Sequence, residues 1–290
     1  MRANERRRLR RPVYGVIFLF KYLGAPSRAS AAPPDGTYDA RAVEEEGLFF
    51  AAQTIQNACG TQAVLSVVLN NDAAGIDMGP ELRAFKDFTA GFPADLRGEA
   101  LSNSSLIRSA HNAFARASPF VDETQREATG AADDLFHFIA YTVHHGTLYE
   151  LDGLQPAPIS HGPCVADDGH GGQGGHVDFA DAIVPVLQRR IARYPAGEVR
   201  FNLMAVCRDR RARAIEMGDT EALARENRRR ARWAWENALR RHNFVGFTAE
   251  VLKGVVGMKL GAGGGEYERW VAEAREATEK RIKARDREVE

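Results

Sequence analysis

Cysteine is scarce in this 290-residue chain: there are three, too few and of the wrong parity for a disulfide framework, and they fit a reducing compartment better than an oxidising one. Long apolar runs are lacking as well, and no stretch of about 18 apolar residues exists to span a membrane. Net charge is missing overall, with 39 Lys plus Arg against 39 Asp plus Glu. Internal repeats and a collagen-like glycine period are also absent. Collagen-like, coiled-coil-only and transmembrane classes are thereby excluded. What is there, 44% hydrophobic and 27% charged residues, is an ordinary globular balance, long enough for one large domain and a smaller one.

The zero charge is a cancellation. Residues 1–11 carry six Arg and one Glu, residues 12–207 carry 13 basic and 23 acidic side chains, and residues 208–290 carry 20 basic and 15 acidic. The segments therefore stand at +5, −10 and +5. An acidic body suits a basic macromolecular partner and repels phosphate backbones, so no nucleic-acid partner is expected.

Along the chain, the Arg-rich opening followed by Val13–Leu23 and a small-residue run imitates a targeting signal. Lys21 interrupts the apolar stretch, however, and Val-Ile-Phe-Leu-Phe at 16–20 reads as a buried strand. A helix is predicted over Asn57–Leu69, with further helices at Gly79–Thr89, Ser104–Arg116 and Asp178–Tyr194. Strands are predicted at Phe136–Val143, Thr147–Leu151 and Val199–Val206, the first two joined by a His144-His145-Gly146 turn whose histidines are expected to face solvent. Ala117–Asp134 reads as a long surface loop, and loops of that length are often functional lids. From Arg208 to Arg241 the Arg, Ala and Glu density predicts one long charged helix. An apolar helix over Phe244–Val256, closed by Gly257, and a charged helix from about Glu266 complete the chain. The apolar residues Phe244, Phe247, Val251, Leu252 and Val255 need something to bury against.

Chemistry concentrates in Gln53-Thr-Ile-Gln-Asn57-Ala58-Cys59-Gly60-Thr-Gln62. A cysteine at the start of a helix sits in the positive end of the dipole beside unpaired N–H groups, which favours the nucleophilic thiolate. Gln53, six residues upstream, can swing a side-chain NH2 toward the same point and join the Cys59 N–H in a two-donor oxyanion hole. A thiol hydrolase also needs a base. His137, between Phe136 and Phe138, is placed by strand alternation opposite the two rings, free to look into a cleft while they pack inward. Asp152, at the end of the partner strand, can hold the imidazole tautomer. Each residue taken singly also fits a structural role: a core cysteine, a satisfied histidine, a turn aspartate. Cys164 and Cys207 lack a matched base and read as core or strand-end thiols. His170-Gly-Gly-Gln-Gly-Gly-His176 has no close Cys or carboxylate set and reads as a mobile insert, so no metal and no cofactor are expected.

These segments, taken in order, resemble the ubiquitin C-terminal hydrolases, a family of papain-like thiol peptidases. The resemblance is carried by the Gln53–Gln62 segment, Val-x-Gly-Val-Ile-Phe-Leu-Phe-Lys at 13–21, Ala100-Leu-Ser-Asn103-Ser, His111-Asn112-x-Phe114-Ala-Arg116, Phe136-His137-Phe138, Leu148-Tyr149-Glu150-Leu151-Asp152-Gly153-Leu154 and Arg200-Phe201-Asn202-Leu203-Met204-Ala205. Arg240-Arg241-His242-Asn243-Phe244, with the apolar helix and charged tail after it, looks like the extension of the longer, proteasome-associated members.

The resemblance implies an α/β fold with helices around a central antiparallel sheet, knotted in the family, plus an α-helical C-terminal extension. It divides the chain into a basic N-terminal segment 1–12, shorter than family members usually carry, a catalytic domain 13–207, a charged helical linker 208–235 and a helical docking domain 236–290. It implies Cys59 as nucleophile, His137 as general base and then acid, Asp152 as its orienter and Gln53 as oxyanion donor. The 117–134 loop is implied to cross the active site so that only a flexible ubiquitin tail enters. The partners implied are ubiquitin conjugates and, through residues 208–290, a proteasomal ubiquitin-receptor adaptor; the localisation is cytoplasmic and nuclear. Two alternatives stay open here: a ubiquitin-binding scaffold disabled by the short N-terminus, and a papain-like peptidase of broad specificity with an open cleft.

Overall fold

In a computed structural model the described residues are 13–22, 32–55, 57–114, 135–166, 175–176 and 179–289. The basic segment 1–12, the loop at 117–134 and most of the glycine-rich insert, including His170, lie outside them. The chain divides into two compact units, with the boundary between Arg232 and Trp233.

The first unit is built on a six-stranded antiparallel sheet. Its strands are β1 (Val13–Lys21), β2 (Thr37–Tyr38), β3 (Phe136–His144), β4 (Thr147–Leu151), β5 (Ile159–Pro163) and β8 (Asn202–Cys207), in the order β2-β5-β4-β3-β1-β8. A separate two-stranded ladder joins β6 (Val165–Ala166) to β7 (Gly175–His176). Strand β1 lies between β3 and β8 and is covered on both faces, which is why its middle reads as an unbroken apolar run rather than an alternation.

Pleating sends Val16, Phe18 and Phe20 to one side, where they pack with Ile139 and Tyr141 against Phe179, Ile183 and Val186 of α6 (Phe179–Ile191). The other side carries Ile17, Ala140, Tyr149 and Leu151 and packs on Ala63 and Val67 of α2 (Cys59–Val68). Burying one such Phe or Ile side chain contributes about 2 kcal/mol.

Helices α1 (Arg41–Glu44), α3 (Gly79–Thr89), α4 (Ala94–Asn103) and α5 (Ser105–Asn112) complete the helical side. There Phe49, Leu65, Leu69, Met78, Leu101 and Ile107 form a third cluster. Helix α2 is pinned at its C-terminal end. Asn70 accepts from the Phe49 N–H at 2.7 Å and donates to the Phe49 carbonyl at 2.9 Å. Asn71 donates to the Thr142 hydroxyl at 2.9 Å, which in turn donates to the Tyr14 carbonyl at 2.9 Å. The opposite end of α2, with Cys59, is left uncapped by any side chain.

Three sequence expectations change. Helix α4 had no counterpart, and the predicted single helix over 208–241 is two: α7 (Arg210–Glu216) and α8 (Thr220–Arg241). The break falls at Gly218, whose φ of +63° is open to glycine, and Asp219 restarts the helix by accepting the Ala222 N–H at 2.8 Å. Gly257 does not end the apolar helix, because α9 runs Val245–Gly261 before α10 (Glu266–Val289) begins. A helical Gly costs only about 1 kcal/mol, and its neighbours outweigh it. In the second unit α9 buries none of its side chains, and Phe247, Val251, Leu252 and Met258 are all exposed.

Candidate active site

The nucleophile candidate is the first residue of α2. Asn57 stands two residues before it with φ +67°, a left-handed conformation that Asn tolerates better than most residues, and this turn delivers the chain into the helix. With Ala58 at the N-cap position and no side-chain cap, the first-turn N–H groups remain available to an anion.

His137 is the second residue of β3. The β3–β4 ladder pairs Ala140 with Leu151, so the next residue, Asp152, comes alongside Ile139, on the same face as His137. The imidazole Nε2 donates to Asp152 Oδ1 at 2.7 Å, and each of the two residues is 4% exposed. The other ring nitrogen, Nδ1, is left for Cys59, with which His137 shares a side-chain hydrogen bond. The aromatic flank differs from expectation. Phe138 packs on the α2 side and Phe136 is 41% exposed, whereas His137 is the buried member of the three, edge-on to Phe20 and Tyr22 at 5.7 Å. The alternation holds, but Phe136 is the first residue of β3, and its ring is left exposed by the described residues.

The electrostatics favour an ion pair. Burial pushes the Cys59 thiol up, but hydrogen bonds from His137 and from the Phe138 and Gly60 N–H groups, with the His137 charge, outweigh it and hold the thiol below its ordinary value. Burial pulls His137 down, yet the bonds to Asp152 and Cys59 and their charges raise it from 6.5 to about 9. The two shifts act in the same sense, favouring a thiolate beside an imidazolium over the neutral pair.

Gln53 lies on the segment that passes between Gly153 and α4. Its N–H donates to the Gly153 carbonyl at 2.8 Å, and the preceding Ala52 N–H donates to the Ala94 carbonyl at 2.9 Å. Two glycines permit this close passage. A Cβ on Gly98 would stand 2.1 Å from the Ala52 carbonyl oxygen, and one on Gly153 would stand 2.3 Å from Gln62 Nε2. Gln62 donates to the Ala51 carbonyl and so ties α2 to the same segment, a role its place in the motif did not disclose. The Gln53 side chain makes no hydrogen bond among the described residues. Thr61, in the first turn of α2, is held by His111 of α5 at 2.8 Å.

Behind the triad lies a buried polar cluster. Glu150, two residues before Asp152 and 4% exposed, accepts from Arg190 of α6 at 2.5 Å and from the Tyr141 hydroxyl at 2.9 Å, with His161 Nε2 at 3.3 Å. Burial works against its charge, but Arg190, His161 and Tyr141 hold it at about 2. The Arg190 guanidinium stacks over the Phe20 ring at 4.4 Å, the ring that meets His137 edge-on. Asp152 is braced further by the Leu154 N–H at 3.0 Å and by Gln155 at 3.4 Å, itself held by the Tyr38 hydroxyl at 2.8 Å. A charged residue inside a strand that is otherwise buried was the available sequence signal for Glu150; its partner forty residues later carried none.

The remaining candidates stay apart from this site. Cys164 is buried in the α6-side cluster and Cys207 is half-buried at the end of β8; all three cysteines are free. A mainly apolar cavity of about 100 Å3 is lined by Ala58, Thr61, Gln62 and Leu65 of α2 with Leu101 and Ile107, and the triad does not line it.

This geometry is that of a thiol hydrolase, and the comparisons agree. Residues 2–192 match the family described as ubiquitin carboxyl-terminal hydrolase, family 1, and residues 218–256 match a second one described as ubiquitin carboxyl-terminal hydrolases. Among curated proteins, ubiquitin carboxyl-terminal hydrolase 2 of Schizosaccharomyces pombe is 46% identical over 247 residues, covering 83% of this chain and 76% of its own. Ubiquitin carboxyl-terminal hydrolase ubh-4 of Caenorhabditis elegans is 31% identical over 86% of this chain and 77% of its own. Among solved structures, Trichinella spiralis UCH37 bound to ubiquitin vinyl methyl ester is 31% identical with a TM-score of 0.53, covering 78% of this chain and 81% of that one. By the match of family 1 over most of its length, the chain belongs to the ubiquitin carboxyl-terminal hydrolases.

Proposed function

We propose that this chain is a deubiquitinating cysteine hydrolase that cleaves thioester, ester, peptide or isopeptide bonds at the C-terminal glycine of ubiquitin. The observation that carries the reading is the convergence of Cys59, His137 and Asp152 from separate elements, with the 2.7 Å His–Asp bond and a thiol held below its ordinary range.

In this reading the Cys59 thiolate, its proton held on His137, attacks the glycine carbonyl carbon. The Cys59 N–H and the Gln53 amide receive the oxyanion. The His137 imidazolium then gives its proton to the leaving amine, alcohol or thiol, and a thioester to Cys59 remains. His137, now neutral, takes a proton from water as the water attacks the thioester. Ubiquitin leaves with a free carboxylate and the thiolate–imidazolium pair is restored. Asp152 keeps Nε2 protonated and stabilises the cation throughout.

Reaction with ubiquitin bearing an electrophile at its C-terminus tests this. The wild-type chain forms a covalent adduct and Cys59→Ala forms none; a folded wild-type chain that stays unmodified defeats the enzyme reading and favours the scaffold one.

The second unit we read as a docking module for a proteasomal ubiquitin-receptor adaptor. Helix α9 supports this, because it presents Phe247, Val251 and Leu252 exposed with no burial of its own. Phe247→Asp with Leu252→Asp should abolish capture by the receptor and leave ubiquitin-adduct formation intact. Three free cysteines fit a reducing compartment, and we place the protein in cytoplasm and nucleus on that basis.

A further inference from the structure

At the far end of the β3–β4 hairpin from the triad, two histidines and a glutamate come together in a way the hydrolase reaction does not use. We infer that His144, His145 and Glu46 form a surface site for a borderline divalent transition ion of the Zn2+ class.

The backbone supplies the first observation. The turn has positive φ at both central residues, +45° at His145 and +79° at Gly146, a shape for which Asn-Gly is the favoured pair. A histidine there carries a left-handed cost of about 1 kcal/mol. A locally unfavourable residue that persists in a turn directs attention to what its side chain does. Here the turn lays the His145 ring on the His144 ring, with centroids 4.1 Å apart and planes 24° apart, so two imidazoles stand side by side at the hairpin tip.

The second observation is the tautomer. His144 Nε2 lies 2.9 Å from the Glu46 carbonyl oxygen. A carbonyl only accepts, so Nε2 carries the hydrogen and Nδ1 keeps a lone pair. Histidines that ligate metals are oriented in the same way, the non-ligating N–H spent on a carbonyl or carboxylate. The third observation is the carboxylate. Glu46 Oε2 stands 3.7 Å from His145 Nδ1, and one ligand atom from each of the three residues lies within 4.8 Å of the other two. The neighbouring charges do not occupy the carboxylate: Glu45 is paired with Arg41 at 2.7 Å and Lys86 with Asp72 at 3.0 Å.

Two imidazoles and one carboxylate suit Zn2+, Cu2+ or Ni2+ rather than the all-oxygen preferences of Mg2+ and Ca2+. Bonds of about 2.1 Å set tetrahedral ligands roughly 3.4 Å apart. His145 and Glu46 are exposed, so a rotation of either side chain can close that gap, and a water would take the fourth position. The ion would staple the loop after α1 to the tip of the hairpin whose other end carries His137 and Asp152.

The test is calorimetric titration of ZnCl2 into the full chain carrying Cys59→Ser, which removes the reactive thiol as a competing ligand. The same titration follows on that chain with Glu46→Gln, His144→Asn and His145→Asn added; Asn accepts the left-handed turn, so the hairpin is preserved. We expect one equivalent of Zn2+ to be lost or weakened at least 100-fold in the triple substitution, and His145→Asn alone to weaken it at least tenfold. Zn2+ should raise the melting temperature of the parent and not of the substituted chain. Unchanged stoichiometry and affinity in the triple substitution, or Mg2+ binding as tightly as Zn2+ in the parent, overturns the site.

Discussion

Asp152→Asn separates what the carboxylate does by charge from what it does by geometry. Asn keeps an Oδ1 that can accept from His137 Nε2–H and from the Leu154 N–H, so ring orientation and turn survive while the charge is lost. His137 stands at about 9 against an ordinary 6.5, and the bond to Asp152 is the first of the influences that raise it. That difference corresponds to about 3 kcal/mol favouring the imidazolium. Burial, the largest influence of all, acts downward and remains after the substitution, while the Cys59 bond and charge still act upward, so the ring should fall from about 9 toward its ordinary 6.5. At pH 8 a ring returned fully to 6.5 is about 3% imidazolium against about 90% for one at 9, so the loss in kcat/KM from ionisation alone reaches at most about 30-fold. The assay is hydrolysis of a ubiquitin C-terminal fluorogenic amide from pH 5 to 10. The wild-type alkaline limb should lie near 9 and that of the variant clearly lower, toward 6.5. A variant that keeps its limb near 9 would refute the assignment of Asp152 as the source of the raised value. The linkage sign is the same for stability: a group raised on folding contributes fully below its unfolded value and loses that contribution as pH climbs through about 9.

Other expectations are sharper in their readout than in their size. Gln53→Ala should lower kcat by about 10²–10³ with little change in KM, because its amide meets charge only in the transition state; an equal loss in KM alone counts against the role. Glu150, held at about 2 against an ordinary 4.5, contributes stability above 4.5 that is lost as pH falls through 2, about 3 kcal/mol in all. Urea midpoints taken from pH 6 down to pH 2 should show that loss in the wild-type chain and not in Glu150→Gln. Arg97 is 3% exposed and donates to the Thr89, Leu48 and Ala90 carbonyls at 3.0, 3.1 and 2.6 Å. Arg97→Ala should cost about 3 kcal/mol in chemical unfolding, and a variant within 0.5 kcal/mol of wild type would show that water replaces the guanidinium.

The elements legible in the sequence are those whose burial follows a period. Strand β4 and helix α3 fall on their predicted bounds, and β1 is where its apolar run placed it. Helix α4 was invisible because its inner face is Arg97, Gly98 and Leu101: one residue reads as surface, another as a breaker, and no apolar stripe remains. Strand β5 hides for a similar reason, since Ile-Ser-His-Gly-Pro contains two breakers and its inward His161 meets Glu150 through Nε2. Cys59, His137 and Asp152 were legible because each lies at an element terminus that its own neighbours define. The Gln53 segment was only half legible. Gln53 could be named, but the glycines that let its backbone slip between α4 and Gly153 act through contacts about 45 and 100 residues away.

Two carboxylates two residues apart on one strand show how environment divides labour that sequence cannot. Glu150 and Asp152 share a face, are equally buried, and differ in what opposes them. Glu150 meets a permanent cation, Arg190, on one oxygen and a tyrosine hydroxyl and His161 on the other, and is locked as a charge over the whole physiological range. Asp152 meets an imidazole whose proton must come and go. The lock matters to the switch. Arg190 lies against Phe20, whose edge contacts His137, so an unneutralised guanidinium there would oppose the imidazolium on which thiolate formation depends. Glu150 cancels that cation at its source, and the field left at His137 is set by Asp152 and Cys59.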